Sequence, residues 1–435
     1  SQVNEVYRKA IKNNPDDART YTNLLFCLNY SPDLSAEEIY KSYQEFDERF
    51  CVPLQSKWKP FTQPKELKKR LKIGYVSPDF RNHSMVNFLK PTLENHNKDQ
   101  FEVFAFAELE GEDQVTEQYK NIITKSHWVP TKGLSDKALA QKIRSLGIDI
   151  LIDLAGHTKG NRLGAFMYKP APVSLSWWIG YGYTTGVSAI DYFLSDWILT
   201  PKGSEHLFTE KLWRLGNRGD IFRPKPGMGP VGPLPALKNN FITFGTLSRS
   251  IRLNDHVIRT WSNILKEVKN SKIIINSKEF KCKKTVAKLK SSFSSYGIAK
   301  DRLEIFLESP PWDTMRRIDI ALDCFPHNSG TTLIEHLYMG NPFITLASRP
   351  SVGRIGATIL TATGHTEWIA KTEDEYIKKA VELASDITRL SDIRSSLRED
   401  IQSSVLMNEK LFTVTLEEAY QDMWKKWCLD KAEVT

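Results

Sequence analysis

Apolar residues recur at helical spacing over Val3–Ile11, and the pattern stops at Asn13-Asn14-Pro15. Asp16 or Asp17 can then cap a second helix carrying Tyr21, Leu24, Leu25 and Leu28. Ser31-Pro32-Asp33 breaks that helix, and Ser35 caps a third, with Glu38 three residues on to complete a capping box. From Leu71 the rhythm changes. Short apolar runs rich in β-branched and aromatic residues alternate with helical stretches: Leu71–Ser77, Phe101–Ala107, Asp149–Leu154, Val173–Ile179 and Tyr192–Leu199. Such runs predict parallel strands covered on both faces. Residues 217–238 interrupt the alternation with five prolines and four glycines and read as a linker. A second alternating set follows, at Phe241–Thr246, Lys272–Ile275, Leu303–Phe306, Ile318–Cys324 and Pro342–Leu346. Leu411–Trp427 is an amphipathic helix that is expected to fold back over the first lobe.

The pattern therefore predicts an α/β chain with two doubly wound, Rossmann-like lobes and a short all-α block in front. The segments are 1–55 (helical), 70–216 (first lobe), 217–238 (linker), 239–407 (second lobe) and 408–430 (returning helix). Two such lobes in tandem are expected to form a ligand cleft at the carboxyl ends of their strands.

Composition narrows the class. At 435 residues and 40% hydrophobic, the chain can bury ordinary cores and is neither fibrous nor disordered. No run approaches the ~18 apolar residues of a membrane helix, and Ser1 opens directly into a polar helical pattern, with no secretory signal in view. The five cysteines are odd in number and form no CxxC, which argues against a disulfide framework or a zinc ribbon and for a reducing, cytoplasmic setting. The net charge of +8 lies partly at Lys57–Lys72 and Lys278–Lys290. Neither cluster interleaves aromatics as a base-stacking platform would. They read as solvated surface that attracts anionic substrates; no nucleic-acid or membrane partner is expected.

The chemistry collects where strands turn into helices. Within Ile318–Gly340 a buried strand ends near Asp323, and a turn through Pro326, Asn328, Ser329 and Gly330 opens a helix at Thr331. The free N–H groups of that helix start, with the hydroxyls of Thr331 and Thr332, suit a diphosphate. Glu335, one turn on, could accept two hydrogen bonds from a ribose diol. The same residues would also serve as ordinary capping with a solvated Glu. After the strand Phe241–Thr246, Arg249 and Arg252 could neutralise a leaving diphosphate, or simply decorate a surface loop. In the first lobe His83 follows the first strand, Gly156, His157 and Thr158 follow the third, and Thr184 and Thr185 sit in the Gly-rich turn after the fourth. Two histidines at corresponding strand ends suggest proton handling or substrate positioning more than packing alone. No DxD pair ends a strand and no His/Asp/Glu cluster has metal spacing, so no metal cofactor is expected.

The stretches SPDFRNHS, DLAGHTKGNRLGAFMYKPAPVSLSWWIGYGYTTG, LDCFPHNSGTTLIEHLYMGNPFITL and RPSVGRIGATIL resemble the O-linked N-acetylglucosamine transferase and SPINDLY family, glycosyltransferase family 41. The helical block resembles the family's last tetratricopeptide repeats. The resemblance implies a GT-B fold and inverting, metal-independent transfer from a nucleotide sugar to a protein or peptide acceptor. It implies His83 as the histidine proposed for the base or the acceptor site. Gly156, His157 and Thr158 would lie near the donor sugar, and Thr184 and Thr185 near the diphosphate and acceptor. Arg252 stands where the family has a lysine on the diphosphate, and Thr331, Thr332 and Glu335 match its phosphate and ribose contacts. Ser309–Asp313 falls in the nucleobase loop.

Departures bear on the sugar. Gly330 stands where the animal transferase has histidine, and Arg249-x-x-Arg252 replaces Gln-x-x-Lys. The Gly156-His157-Thr158 part is nearer the SPINDLY branch, whose members use GDP-fucose. UDP-N-acetylglucosamine with Ser or Thr acceptors is the first expectation, GDP-fucose the second and UDP-glucose the third, since some related enzymes glucosylate Asn. Sugar-nucleotide epimerases share the two-lobed fold, and a binding scaffold would need no such set of His, Arg and Thr-Thr-Glu. About three helices make little more than one repeat, so residues 1–50 are expected to end a longer array or to form a docking platform leaning on the first lobe.

Overall fold

The computed structural model describes residues 2–216 and 220–430. Ser1 and the first three linker positions, 217–219, lie outside the described residues. The chain divides into two compact units, Ser1–Ile221 with Asn408–Thr435, and Phe222–Met407.

The first unit opens with three helices, α1 (Gln2–Asn13), α2 (Ala18–Leu28) and α3 (Ala36–Phe46). Asp17 caps α2 by accepting from the Arg19 amide. Ser35 and Glu38 form the expected reciprocal box, at 3.1 and 2.8 Å. The helices bury Leu24, Leu25 and Leu28 together with Ile39, Tyr43 and Phe46.

Seven parallel strands follow: β1 (Leu71–Ser77), β2 (Phe101–Ala107), β3 (Trp128–Pro130), β4 (Ile150–Asp153), β5 (Val173–Trp177), β6 (Tyr192–Ser195) and β7 (Lys211–Arg214). Their order is β3-β2-β1-β4-β5-β6-β7, with Ile73 of β1 paired to Val103 and to Ile150. β3 and β7, which the apolar pattern does not mark, are short edge strands with partly exposed faces. β6 stops sooner than its apolar run because Asp196 turns the chain, accepting from the amides of Ile198 and Leu199 at 2.7 Å.

The helix Glu409–Leu429 belongs to this unit. It meets the sheet through a buried polar knot. His96 Nδ1 lies 2.8 Å from Glu417, His96 Nε2 lies 2.7 Å from the Tyr75 hydroxyl, and that hydroxyl lies 3.1 Å from Tyr420. Phe412 stacks on Trp177, and Trp424 donates to the Glu66 carbonyl at 2.9 Å.

The second unit carries six parallel strands, β8 (Ile242–Thr246), β9 (Ser271–Asn276), β10 (Leu303–Phe306), β11 (Ile320–Leu322), β12 (Phe343–Leu346) and β13 (Ile369–Ala370), in the order β10-β9-β8-β11-β12-β13. The described part of the Pro/Gly-rich stretch is not a loose tether: Ile221, Phe222 and Met228 are buried, and Pro235–Asn239 is helical. Asp319 pins that helix by accepting from the amides of Ala236 at 2.9 Å and Thr243 at 2.8 Å. β11 is shorter than its apolar run because the residues on either side of it, Asp319 and Asp323, turn their carboxylates to neighbouring backbone. Among the described residues no helix is long and apolar enough to cross a membrane.

Candidate active site

The turn after β1 holds His83. Asp79 is fixed by its amide, which donates to Ser77 at 3.0 Å, and its Oδ1 receives the Arg81 guanidinium at 3.0 Å. The Asn82 amide donates to Asp113 at 2.7 Å. The His83 side chain is 41% exposed, and Nδ1 stands 3.6 Å from Asp79 Oδ2 and 3.3 Å from the Met85 amide. These neighbours ask for opposite tautomers. The Met85 N–H needs a lone pair on Nδ1, whereas Asp79 needs a proton there. Only the second leaves Nε2 able to accept a proton.

The turns after β4 and β5 are built inward. The Asp153 carboxylate accepts from the Gly156 amide at 2.9 Å, the Ala155 amide at 3.1 Å and the Ser176 hydroxyl at 2.8 Å. Gly156 has φ +47°, and a Cβ there would meet the Tyr181 Cβ at 2.3 Å and its ring at 2.4 Å, so glycine is required. His157 is 2% exposed. Its Nε2–H donates to the Thr185 carbonyl at 2.7 Å, Nδ1 lies 3.2 Å from the Thr22 hydroxyl, and Tyr43, Phe46 and Tyr181 surround the ring. Burial pushes its pKa down to about 4. His157 is thus a neutral imidazole with both nitrogens engaged by protein. The Thr158 hydroxyl donates to the Ala155 carbonyl at 2.8 Å.

Thr184 and Thr185 are wholly buried, and both hydroxyls donate to Glu210, at 2.5 Å for Thr184. Behind them the Tyr43 and Tyr181 hydroxyls meet at 2.5 Å, and the Asn29 amide donates to both. Helices α2 and α3 therefore brace these turns directly.

In the second unit the turn after β8 carries Arg249, exposed, and Arg252, half-buried. The turn is tied to the segment after β11 by Asn254, whose amide donates to the Phe325 carbonyl at 2.6 Å, and by Ser248 and Ser329, whose hydroxyls lie 3.1 Å apart. Asp323 is fully buried and accepts from the Ser329 and Cys324 amides at 2.8 Å and from the Thr345 hydroxyl at 2.7 Å. Burial raises its pKa to about 7 against the pull of these bonds and of Arg252. His327 is held well below its usual value by burial and by the positive charges of Arg252, Arg349 and Arg249. The region is strongly electropositive.

The helix Thr331–Tyr338 starts there. Gly330 stands at its cap without a side-chain bond, and no atom lies within 4 Å of where a Cβ would be. Thr331 and Thr332 are half-buried. Glu335 is 4% exposed, no hydrogen bond from another described residue reaches its carboxylate, and its oxygens are not among the fully buried unpaired atoms. Burial raises its pKa to about 7, with Lys225 pulling the other way. Between Ser309 and Asp313, Trp312 packs half-buried on the cluster of Met228, Met315 and Met339, beside Leu247.

The structure thus gathers Arg249, Arg252, Gly330, Thr331, Thr332 and Glu335 in the second unit, and Gly156, His157, Thr158, Thr184 and Thr185 in the first, with His83 in the neighbouring β1 turn. The pattern did not single out Lys225, His327, Arg349 or Glu210. Arg349 lies in RPSVGRIGATIL and His327 in the Thr-Thr stretch; nothing marks Lys225 between two prolines or Glu210 before β7. Among the described residues no three His, Cys, Asp or Glu side chains are grouped to hold a metal ion.

Comparison with known proteins shows the family and the fold. The profile of glycosyl transferase family 41 fits residues 51–218 and 235–416. A rice (Oryza sativa subsp. japonica) protein named "Probable UDP-N-acetylglucosamine--peptide N-acetylglucosaminyltransferase SPINDLY" is 33% identical over 98% of this chain and 46% of its own length. An Arabidopsis thaliana protein with the same name ending in SEC is 30% identical over 87% of this chain and 40% of its own. The chain spans less than half the length of these curated relatives. A solved structure, a mutant of the Thermobaculum terrenum O-GlcNAc transferase, superposes with a TM-score of 0.90 at 31% identity, covering 98% of this chain and 81% of that one. Two Rossmann-like lobes behind a helical block make up the GT-B fold that the resemblance implies.

Proposed function

The chain belongs to glycosyltransferase family 41, and from that premise we propose that it is an inverting, metal-independent protein glycosyltransferase that moves N-acetylglucosamine from UDP-N-acetylglucosamine to Ser and Thr hydroxyls of proteins. The observation that carries the reading is Glu335. The Glu335 side chain is nearly enclosed, yet its oxygens are not among the fully buried unpaired atoms, so the carboxylate keeps an opening through which a ribose diol would supply two donors. One helical turn earlier, Thr331 and Thr332 offer the hydroxyls and free amides of a helix start to the diphosphate. Arg249, Arg252 and Arg349 supply the positive field in which a leaving diphosphate is stabilised without a divalent ion. In the transfer, the acceptor oxygen bonds to the anomeric carbon as the bond from that carbon to the diphosphate breaks. His83 takes the acceptor proton on Nε2 in the tautomer that Asp79 favours. His157, enclosed and neutral, orients the turn.

A second reading, fucose from GDP-fucose, is favoured by one observation: Gly156-His157-Thr158 is nearer the SPINDLY branch, for which the resemblance implies that donor. The five free thiols support a cytoplasmic setting. Incubation with radiolabelled UDP-N-acetylglucosamine, GDP-fucose and UDP-glucose and a cell lysate tests the proposal. Label from the first in protein, stable to EDTA, is expected. Label confined to free or isomerised sugar would mark a hydrolase or epimerase, and no turnover of any donor would leave a scaffold.

A further inference from the structure

The Thr184 hydroxyl has one proton and two lone pairs to offer, and all three are spent within the protein. It donates to Glu210 Oε2 at 2.5 Å and accepts from the amides of Gly186 and Thr209, each at 3.2 Å. Thr185 is used almost as fully. Its amide donates to Glu210 Oε1 at 2.8 Å, its hydroxyl donates to the same oxygen, and its carbonyl receives the His157 Nε2–H at 2.7 Å. Glu210 is 3% exposed, and these three donors hold its carboxylate. Gly186 closes the turn at φ +60°, where a Cβ would press on Tyr43 at 2.8 Å.

We propose that Glu210, which sits just before β7 and faces no substrate, is a positioning residue: it takes up both threonine hydroxyls and the Thr185 amide, so that the 180–187 turn meets donor and acceptor with its backbone and not with its hydroxyls. Thr184 and Thr185 are then anchors of the site and not ligands of the diphosphate. A carboxylate is needed because it accepts three donors at once, which a carboxamide oxygen and NH2 group cannot match. The inference rests on the reading that this turn borders the transfer site.

The test compares Glu210→Gln, Thr184→Val, Thr185→Val and the two Thr→Ser variants of the full chain. Hydrogen exchange of the amides in 183–188, measured without ligand, is expected to speed up roughly tenfold or more in Glu210→Gln and both Val variants, and to stay near wild type in the Ser variants. Turnover at saturating donor should fall roughly tenfold to a hundredfold in the first group. Affinity for UDP, or for GDP if that is the nucleotide bound, should stay within about twofold, because no nucleotide ligand has been removed. The Ser variants should recover the turnover. The proposal is overturned if the Val variants weaken nucleotide binding tenfold while Glu210→Gln does not, or if Glu210→Gln leaves both exchange and turnover unchanged. A wild-type chain that transfers no sugar would sink the functional reading instead, and the exchange comparison would still decide whether Glu210 anchors the turn. Should Glu210→Gln fail to fold, the contrast of Val with Ser at 184 and 185 carries the decision.

Discussion

In the first unit, His157, Thr184 and Thr185 spend their polar atoms on protein partners: Thr22 and the Thr185 carbonyl for His157, and Glu210 with the Gly186 and Thr209 amides for the threonines. In the second unit Glu335 is almost as deeply buried, yet no described donor reaches its carboxylate, and the cap position Gly330 before it has open space around it. A buried polar group is affordable when its partners are built in. When they are missing, the folded chain carries a cost that a ligand can remove. The contrast separates a braced set of turns, which hold a shape, from a receiving set, which waits for a partner.

The sharpest way to break this contrast is Glu335→Gln. Replacing two charge-assisted hydrogen bonds by neutral ones, a difference of about 1–1.5 kcal/mol each, should cost on the order of a hundredfold in nucleotide affinity by calorimetry. The pH dependence has a defined sign. With a folded pKa of about 7, above the ordinary carboxyl value, Glu335 contributes stability that is present at low pH and lost as pH rises through about 7. Nucleotide binding favours the ionised form, so wild-type affinity should rise over that same window and the rise should shrink in Glu335→Gln. Equal slopes in the two proteins would refute the assignment.

His157 tests the braced side. Its pKa of about 4 lies below that of an unfolded histidine, near 6.5, so the unfolded chain takes up the proton first as pH falls. Stability is kept above about 6.5 and lost on the way down to about 4, by on the order of 3 kcal/mol. Denaturant titrations across that range should show a smaller loss in His157→Asn than in wild type. His336, held at about 3 by burial, contributes in the same direction and remains in both proteins. A third effect concerns turnover. His83→Ala should lower kcat at least roughly tenfold and flatten the acidic limb of the pH–rate curve. An unaltered limb would send the acceptor proton elsewhere. The smallest effect expected is that of EDTA, which should leave turnover within about twofold, because arginines and a helix start meet the leaving charge. Activity lost to chelation and restored by magnesium or manganese would contradict this.

Sequence patterning reaches some of these features and stops short of others. β1 and β2 occupy the residues their apolar runs mark, because strands covered on both faces need continuous hydrophobic side chains. β3, β7 and β13 escape notice because edge strands of two to four residues carry no periodicity. Glu335 is legible from its spacing to Thr331, whereas its lack of a donor depends on the packing of side chains distant in sequence. His157 could be read as a histidine at a strand end. Its socket could not, since Thr22 lies 135 positions away in sequence, and nothing local announces that α2 would deliver a hydroxyl to it. Glu210 is the extreme case, a lone acid before an edge strand whose role comes wholly from tertiary structure.

The returning helix Glu409–Leu429 sets the order in which the molecule can be made. On a ribosome, Phe222–Met407 emerges as one uninterrupted stretch and can complete its sheet as soon as it is out. The first unit, begun earlier, must keep Tyr75 and His96 waiting for Glu417 and Tyr420 until the whole second unit has been synthesised. At ~5–20 residues per second that delay is about ten to forty seconds. During that interval the β1 face carries exposed apolar surface, a natural point of engagement for chaperones. A stop codon just beyond the second unit would therefore do its damage in the part of the chain translated first.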